Sequence, residues 1–399
     1  MKSKYLSAIS ALALLCAAGP AFAADGVKIG VLNDQSGVYA DFGGKWSVEA
    51  ARMAIEDFGG SVLGQKIELV DADHQNKPDL GVSIARRWYD VEHVDMITEL
   101  TTSSVALAVQ DLSKQEKKID MVVGAGSSRI TGDACSPYGF HWAYDTHALA
   151  VGTGGALTEA GGNSWFFLTA DYAFGYSLEQ DTAAIVKEKG GKVLGAVRHP
   201  LNTSDFSSFL LQAQSSKAKV IGLANAGLDT SNAIKQASEF GIVQGGQKLA
   251  ALLFTLAEVQ GLGLQAAQGL QLTESYYWDR DDRSRDFANR FFKKTNRMPN
   301  MVQAGTYSAV MSYLKAVKAA GTKDTEAVTK KLKELPVDDA FTAKGKVLPN
   351  GRMVTDLYLF EVKKPAESKK PWDDYKLIAT VPGDKAYPTA KDSGCPLTK

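Results

Sequence analysis

The chain has 399 residues, 45 Lys+Arg against 45 Asp+Glu, three Cys and 45% hydrophobic residues. Zero net charge argues against a nucleic-acid binder, which carries a basic excess, and the apolar content argues against disorder. The length exceeds what one core usually serves, so two lobes are expected, and three Cys cannot build a disulfide-dense scaffold or a four-Cys zinc site.

Lys2 and Lys4 open the chain, Leu6 to Ala18 is an apolar run, and Ala21-Phe22-Ala23 is a small-x-small cleavage site. This pattern predicts a secretory signal peptide over residues 1–23. The run is shorter than the roughly 20 residues a bilayer span needs. Cys16 raises a lipoprotein alternative, which the bulky Leu15 before it disfavours. Cleavage starts the mature chain at Ala24 and, with two lysines removed, takes its formal charge to about −2. No later stretch is a membrane-span candidate, so a soluble protein exported to the periplasm is expected. Export leaves Cys135 and Cys395 as an even pair in an oxidising compartment, and they are predicted to bond. That bond would tether the tail, residues 386–399, to the first lobe.

Alternating strands and helices follow. Val27 to Leu32 reads as a strand, then Trp46 to Phe58 as a helix whose Ala50, Ala51, Ala54, Ile55 and Phe58 share one side. Strands are expected at Lys66 to Asp71, Asp95 to Leu100 and Ile119 to Val123. Helices are expected at Asp79 to Val91 and from Val105 to Leu112. The pattern repeats with strands at Trp165 to Thr169, Lys192 to Arg198, Val220 to Asn225, Leu249 to Phe254 and Leu270 to Thr273. Leu178 to Glu188, Phe206 to Gln214 and Ser231 to Phe240 are the helices between them. Three helices (Arg283 to Thr295, Thr306 to Ala320, Thr325 to Leu335) and two strands (Thr355 to Val362, Tyr375 to Val381) complete the chain. Two successive sets of β-α units predict an α/β protein of two doubly wound lobes.

Catalytic motifs are missing from the sequence. It contains no G-x-S-x-G elbow, P-loop, Cys-x-x-Cys or H-E-x-x-H, and no G-x-G-x-x-G follows the first strand. The five His are scattered, and His141 and His147 have poor metal spacing. No enzyme activity, cofactor or metal is expected.

Ligands of open α/β sheets bind at the carboxyl ends of the strands. Three loops there are informative: Asn33 to Gly43, with Tyr39 and Phe42; Thr101-Thr102-Ser103-Ser104, running straight into a helix; and Gly124-Ala125-Gly126-Ser127-Ser128. Hydroxyls at a helix start can simply cap it. They can also present O–H and N–H groups to an anion, with the helix dipole in support. Two such loops after consecutive strands make a convergent anion site.

Ile29-Gly30-Val31 with Ser36-Gly37, Thr102-Ser103-Ser104, Asp171-Tyr172-Ala173-Phe174-Gly175 with Phe206-Ser207, and Thr306-Tyr307-Ser308-Ala309 together carry a resemblance. The chain resembles the periplasmic solute-binding proteins of ABC importers, in the branched-chain amino-acid (Leu/Ile/Val)-binding family, from about Val27 to Phe360. The resemblance implies the type I periplasmic binding protein fold: two Rossmann-like lobes joined by three hinge crossovers, closing on a ligand. It places lobe one at residues 24–145 and 275–354 and lobe two at 146–274 and 355–385. It implies that Thr102, Ala125 and Ser127 hold a ligand carboxylate, and that Phe42 and Phe174 wall the cleft.

In amino-acid binders of that family an acidic residue after a second-lobe strand meets the ligand's ammonium. Thr255 stands at that position here, with Asp229, after Asn225 in the preceding strand–helix loop, or Glu258 as substitutes if the register shifts. An ammonium buried without a carboxylate is costly, so the ligand is expected to lack an α-amino group. Tyr39, Phe42, Tyr172, Phe174, Tyr276, Tyr277 and Trp278 cluster near the loops and favour a flat apolar body. The resemblance includes binders of benzoate-type acids, so an aromatic acid is favoured over an amino acid. The expected partners are that small organic acid and a membrane permease, with no nucleic acid, and the protein is expected to be a monomer. The alternatives are a branched-chain or other amino-acid binder, and an extracellular sensor domain for a signalling partner.

Overall fold

A computed structural model describes residues 26–399. The predicted signal peptide, with Cys16, lies outside these residues. Among the described residues, no helix is long and apolar enough to cross a membrane.

The first unit runs β1 (Lys28–Asn33), α1 (Gly44–Phe58), β2 (Glu68–Asp73), α2 (Pro78–Asp90), β3 (Met96–Glu99), α3 (Ser103–Gln115), β4 (Ile119–Val122) and β5 (Gly139–His141). Its strands form one parallel sheet in the order β2-β1-β3-β4-β5. β1 is apolar on both faces because both are covered. Ile29 and Val31 join the cluster that holds Ala50 and Ala54 of α1, while Leu32 joins that of Trp88 in α2 and Val105 in α3.

The crossover is helical, which the sequence pattern did not predict. Asp145 caps α4 (Thr146–Leu149) by accepting the N–H of Ala148. The helix passes through a π-helical stretch (Ala150–Gly155) into α5 (Ala156–Glu159). Gly152 lies where a Cβ would come 2.3 Å from the Thr273 hydroxyl, so only glycine lets the two segments pack this closely. The second unit follows: β6 (Ser164–Ala170), α6 (Ala173–Glu188), β7 (Lys192–His199), α7 (Ser207–Ser215), β8 (Val220–Ala224), α8 (Gly227–Glu239), β9 (Lys248–Ala251) and α9 (Leu256–Leu262). Its sheet is parallel, in the order β9-β8-β6-β7.

β10 (Gln271–Glu274) corrects the sequence reading, which treated it as a further strand of that second set. It pairs antiparallel with β11 (Leu357–Val362), and β11 pairs antiparallel with β12 (Tyr375–Val381). A short buried apolar run does not reveal its partner, and here the partner lies far along the chain. Between them come α10 (Asp282–Thr295), α11 (Met301–Ala320) and α12 (Thr325–Glu334). α11 starts at Met301, earlier than expected, because Asn300 and Gln303 form a capping box. It packs along α1 of the first unit. Cys135 and Cys395 form the predicted disulfide, across 260 residues of sequence. The architecture is that of type I periplasmic binding proteins, two parallel α/β units joined by crossovers.

Candidate functional site

The carboxyl ends of β1, β3 and β4 point their loops at those of β6, β8 and β9, and a small cavity lies between them. From the first unit it is lined by Tyr39, Phe42, Thr101, Thr102, Ser103, Gly124, Ala125, Gly126 and Tyr144. Tyr172, Phe174, Ala226 and Leu253 line it from the second. Its free space is about 10 Å3, room for about one water molecule.

The loop after β1 is organised by Asp34. Its carboxylate accepts the N–H of Gly37 at 2.8 Å, the N–H of Tyr39 at 2.9 Å and the Asn76 amide at 2.7 Å. Asn76 is thereby turned so that its Oδ1 accepts the Thr102 hydroxyl. Thr102 has φ +74°, and Glu99 and Leu100 before it also have positive φ. A β-branched residue there is strained, and such strain concentrates at ligand sites. The side chain of Thr102 does not cap α3. The main-chain N–H groups of Thr102, Ser103, Ala125 and Gly126 bond to no other described residue. Four free donors beside a helix N-terminus are what an anion needs.

Behind this loop lies a fully buried carboxylate. Glu99 accepts the N–H of Thr101 at 2.7 Å as well as its hydroxyl, and burial pushes its pKa up to about 7. A Cβ on Gly43 would come 2.1 Å from Glu99 Oε1, and one on Gly124 3.0 Å, so both glycines make room for it. Gly126 makes room on the cavity side. Its Cβ would fall 2.6 Å from Tyr144 Cε2 and 3.0 Å from Phe174 Cε2.

The walls are aromatic. Phe42 meets Tyr39 edge-on at 6.3 Å and Tyr144 at 6.4 Å, and Tyr172 lies 6.1 Å from Phe174. Hydrogen bonds that cross between the units beside the cavity include Tyr39 Oη to Tyr172 Oη at 2.5 Å, Ser127 Oγ to Ser177 Oγ at 2.6 Å, and Leu228 N–H to Val38 O at 3.2 Å. The cleft is closed.

Six residues singled out from the sequence line the cavity: Tyr39, Phe42, Thr102, Ala125, Tyr172 and Phe174. The other five do not. Ser127 is buried beside it and spends its hydroxyl on Ser177. Asn225 is held by Thr230 and His199 inside the second unit. Asp229 accepts the N–H groups of Asn202 and Thr203 at 3.1 and 2.9 Å, ordering the loop after β7. Thr255 caps α9 through the N–H and hydroxyl it gives to Glu258, and its oxygen accepts the Asn300 amide. Tyr276 donates to Ser284 O and stacks on Phe341, so it belongs to the packing of α10. Tyr277 and Trp278 likewise bond Trp372 O. Sequence reasoning passed over Asn76 and Tyr144. Tyr144 donates to Gly124 O at 2.7 Å and follows a strand too short to be recognised by periodicity.

No lining residue carries a charge. Glu258 is buried, with its carboxyl pushed up to about 7 by burial, and it faces Thr255 rather than the cavity. Burial likewise pushes Asp229 up to about 7.

The model of the "Periplasmic binding protein" family matches residues 26–370. A solved periplasmic binding protein from Burkholderia mallei is 53% identical, with a TM-score of 0.92 over 94% of this chain and 100% of that one. A branched-chain amino acid ABC transporter periplasmic ligand-binding protein from Burkholderia xenovorans is 41% identical, with a TM-score of 0.84 over the same shares. A Leu/Ile/Val-binding protein homolog from Brucella abortus is 26% identical over 90% of this chain and 93% of its own length. With the family model matching most of its length, the chain belongs to the periplasmic binding protein family, in the branched-chain amino-acid (Leu/Ile/Val)-binding group that serves ABC transporters.

Proposed function

We propose that the protein captures a small carboxylate-bearing solute lacking an α-ammonium and delivers it to an ABC transporter permease. The reading places the protein in the periplasm, after removal of residues 1–23, and treats it as a monomeric carrier rather than an enzyme. The observation that carries it is the cavity lining, which combines four free main-chain N–H donors with no charged side chain. Such a lining stabilises a carboxylate and leaves an ammonium unpaired, at a cost of several kcal/mol. The aromatic walls supply apolar surface for the rest of the ligand.

Lobe one comprises residues 24–145 and 275–354, and lobe two 146–274 and 355–385, in this reading. Ligand lands on the donors of lobe one, and the aromatic residues of lobe two then close over it. Ligand shifts the population toward the closed form by its extra affinity for that form, and the permease reads closure.

A branched-chain amino acid is the second reading. It is favoured by the 41% identical neighbour, described as a branched-chain amino acid transporter component. For that, Asp229 would have to release Asn202 and Thr203 and turn toward the cleft.

The test is a thermal-shift screen of the mature protein, stripped of ligand by unfolding and refolding. Binding to the native state alone raises the melting temperature. Carboxylic acids without an amino group are expected to raise it, and leucine to leave it unchanged. For the acid that binds, Thr102→Ala combined with Ser127→Ala removes the hydroxyl that Asn76 uses to hold the Thr102 donor in place and the hydroxyl that closes the cleft on Ser177, and should weaken affinity by roughly tenfold or more, about 1.4 kcal/mol. A shift with leucine, or unchanged affinity in the double variant, contradicts the reading.

A further inference from the structure

We infer that the closed cleft selects a short aliphatic carboxylate and rejects ring acids by size, an inference that rests on the carboxylate reading above. Free space and the bonds that limit it carry the argument. The cavity offers about 10 Å3, whereas a bare benzene ring occupies an apolar cavity of roughly 150 Å3. Even a short acid is larger than the one water molecule this space holds, so the walls must yield for any ligand, but they yield least for the acid with the fewest heavy atoms. A ring acid, with its rigid ring added to the carboxylate, asks for more still, and only wider separation of the units can give it.

That separation is opposed at three points around the cavity. Tyr39 and Tyr172 join their hydroxyls at 2.5 Å, and both line the cavity. Ser127 and Ser177 bond at 2.6 Å on another side. Leu228 N–H reaches Val38 O at 3.2 Å on a third. The neighbouring Gly227 has φ +62°, and a Cβ there would fall 2.4 Å from Val38 O, so the backbones approach as closely as glycine allows. Gly126 sets the floor in the same way, with Tyr144 and Phe174 against its missing side chain. The aromatic walls pack on one another and on this floor. The sequence-based preference for an aromatic ligand took those rings for stacking surfaces. In the closed form they are the boundary that limits ligand size.

The test is calorimetric titration of the refolded mature protein with acetate, propionate, butyrate, benzoate and leucine. It is repeated on the Tyr39→Phe/Tyr172→Phe double variant, which removes the hydroxyl pair and keeps the rings. The tightest short acid is expected to bind wild type at least about tenfold more strongly than benzoate, and the double variant to narrow that ratio. Benzoate binding as tightly as any short acid would overturn the size limit and leave the carboxylate reading standing. An unchanged ratio in the double variant would overturn the hydroxyl pair as its cause. Binding of leucine with none of the acids would overturn the carboxylate reading itself, and the size inference with it.

Discussion

Asp34 does not touch the cavity, yet two of the cavity's walls depend on it. One carboxylate oxygen accepts Gly37 N–H, and the other accepts Tyr39 N–H and the Asn76 amide, which in turn holds the Thr102 hydroxyl. Asp34→Asn puts an amide NH2 where two acceptors are needed, so at least one donor loses its partner, at about 1–3 kcal/mol. The expected outcome is weaker ligand binding by calorimetry, by roughly tenfold or more, with the far-ultraviolet circular dichroism unchanged. Equal affinity would show that Tyr39 and Thr102 hold their places without Asp34. Residues of this kind are hard to read from a sequence. Asp34 and Asn76 are far apart in the chain, and neither belongs to a motif. The loops of Thr102 and Ala125 were legible because each follows an apolar strand and is made of small hydroxylated residues, and the family resemblance singled out the two residues within them.

Elements were legible to within a few residues wherever apolar periodicity was long. β1, β4, β6, β8, α1 and α6 overlap the stretches read from the sequence. Three features were missed or misread, each for a physical reason. β5 has only three residues, too few for a period. The crossover helix carries the Gly-rich stretch Gly152-Thr153-Gly154-Gly155 in π-helical form, a composition that reads as loop. β10 has the apolar content of a buried strand, which says nothing of its antiparallel pairing with β11. The start of α8 holds the closing contact with the loop after β1, and it yields a prediction at this scale. Gly227→Ala adds a Cβ 2.4 Å from Val38 O at a residue with φ +62°, a conformation that disfavours any side chain. Ligand affinity is expected to fall, while the melting temperature of the ligand-free protein falls only by the modest cost of the left-handed φ, because the clash with Val38 O is specific to the closed form and is relieved on opening. A large drop in the ligand-free melting temperature with affinity retained would place the strain in the fold rather than in closure.

At the scale of the whole molecule, buried carboxylates lie where the units meet. Glu274 accepts the N–H groups of Leu256 at 3.1 Å and Met301 at 3.3 Å, and the Tyr375 hydroxyl at 2.8 Å. It thus joins α9 of the second unit to α11, which packs on the first. Glu258 lies in the same buried cluster, with one oxygen unpartnered. Burial pushes Glu258 up to about 7 and Glu274 up to about 8, from an ordinary value of 4.5. The folded chain therefore binds protons at these sites that the unfolded chain has released. Their contribution to stability is full below pH 4.5 and is lost as pH rises through about 7 to 8. His74, pushed down to about 4 by burial, acts in the opposite sense as pH rises toward 6.5. A comparison of wild type with Glu274→Gln cancels that common effect. Wild type is expected to lose more of its melting temperature between pH 5 and pH 8.5 than Glu274→Gln does; parallel curves would show that Glu274 ionises freely in the folded protein.

The central claim is that the cleft holds a carboxylate and has no place for an ammonium. It is tested most directly by titrating one purified sample with butyrate and with 2-aminobutyrate, which differ only by the α-ammonium. The charge-free lining of the cavity predicts that butyrate binds at least about tenfold more tightly, about 1.4 kcal/mol. Tighter binding of 2-aminobutyrate would contradict the account and would require a carboxylate, Asp229 first, to turn into the cleft when ligand is bound.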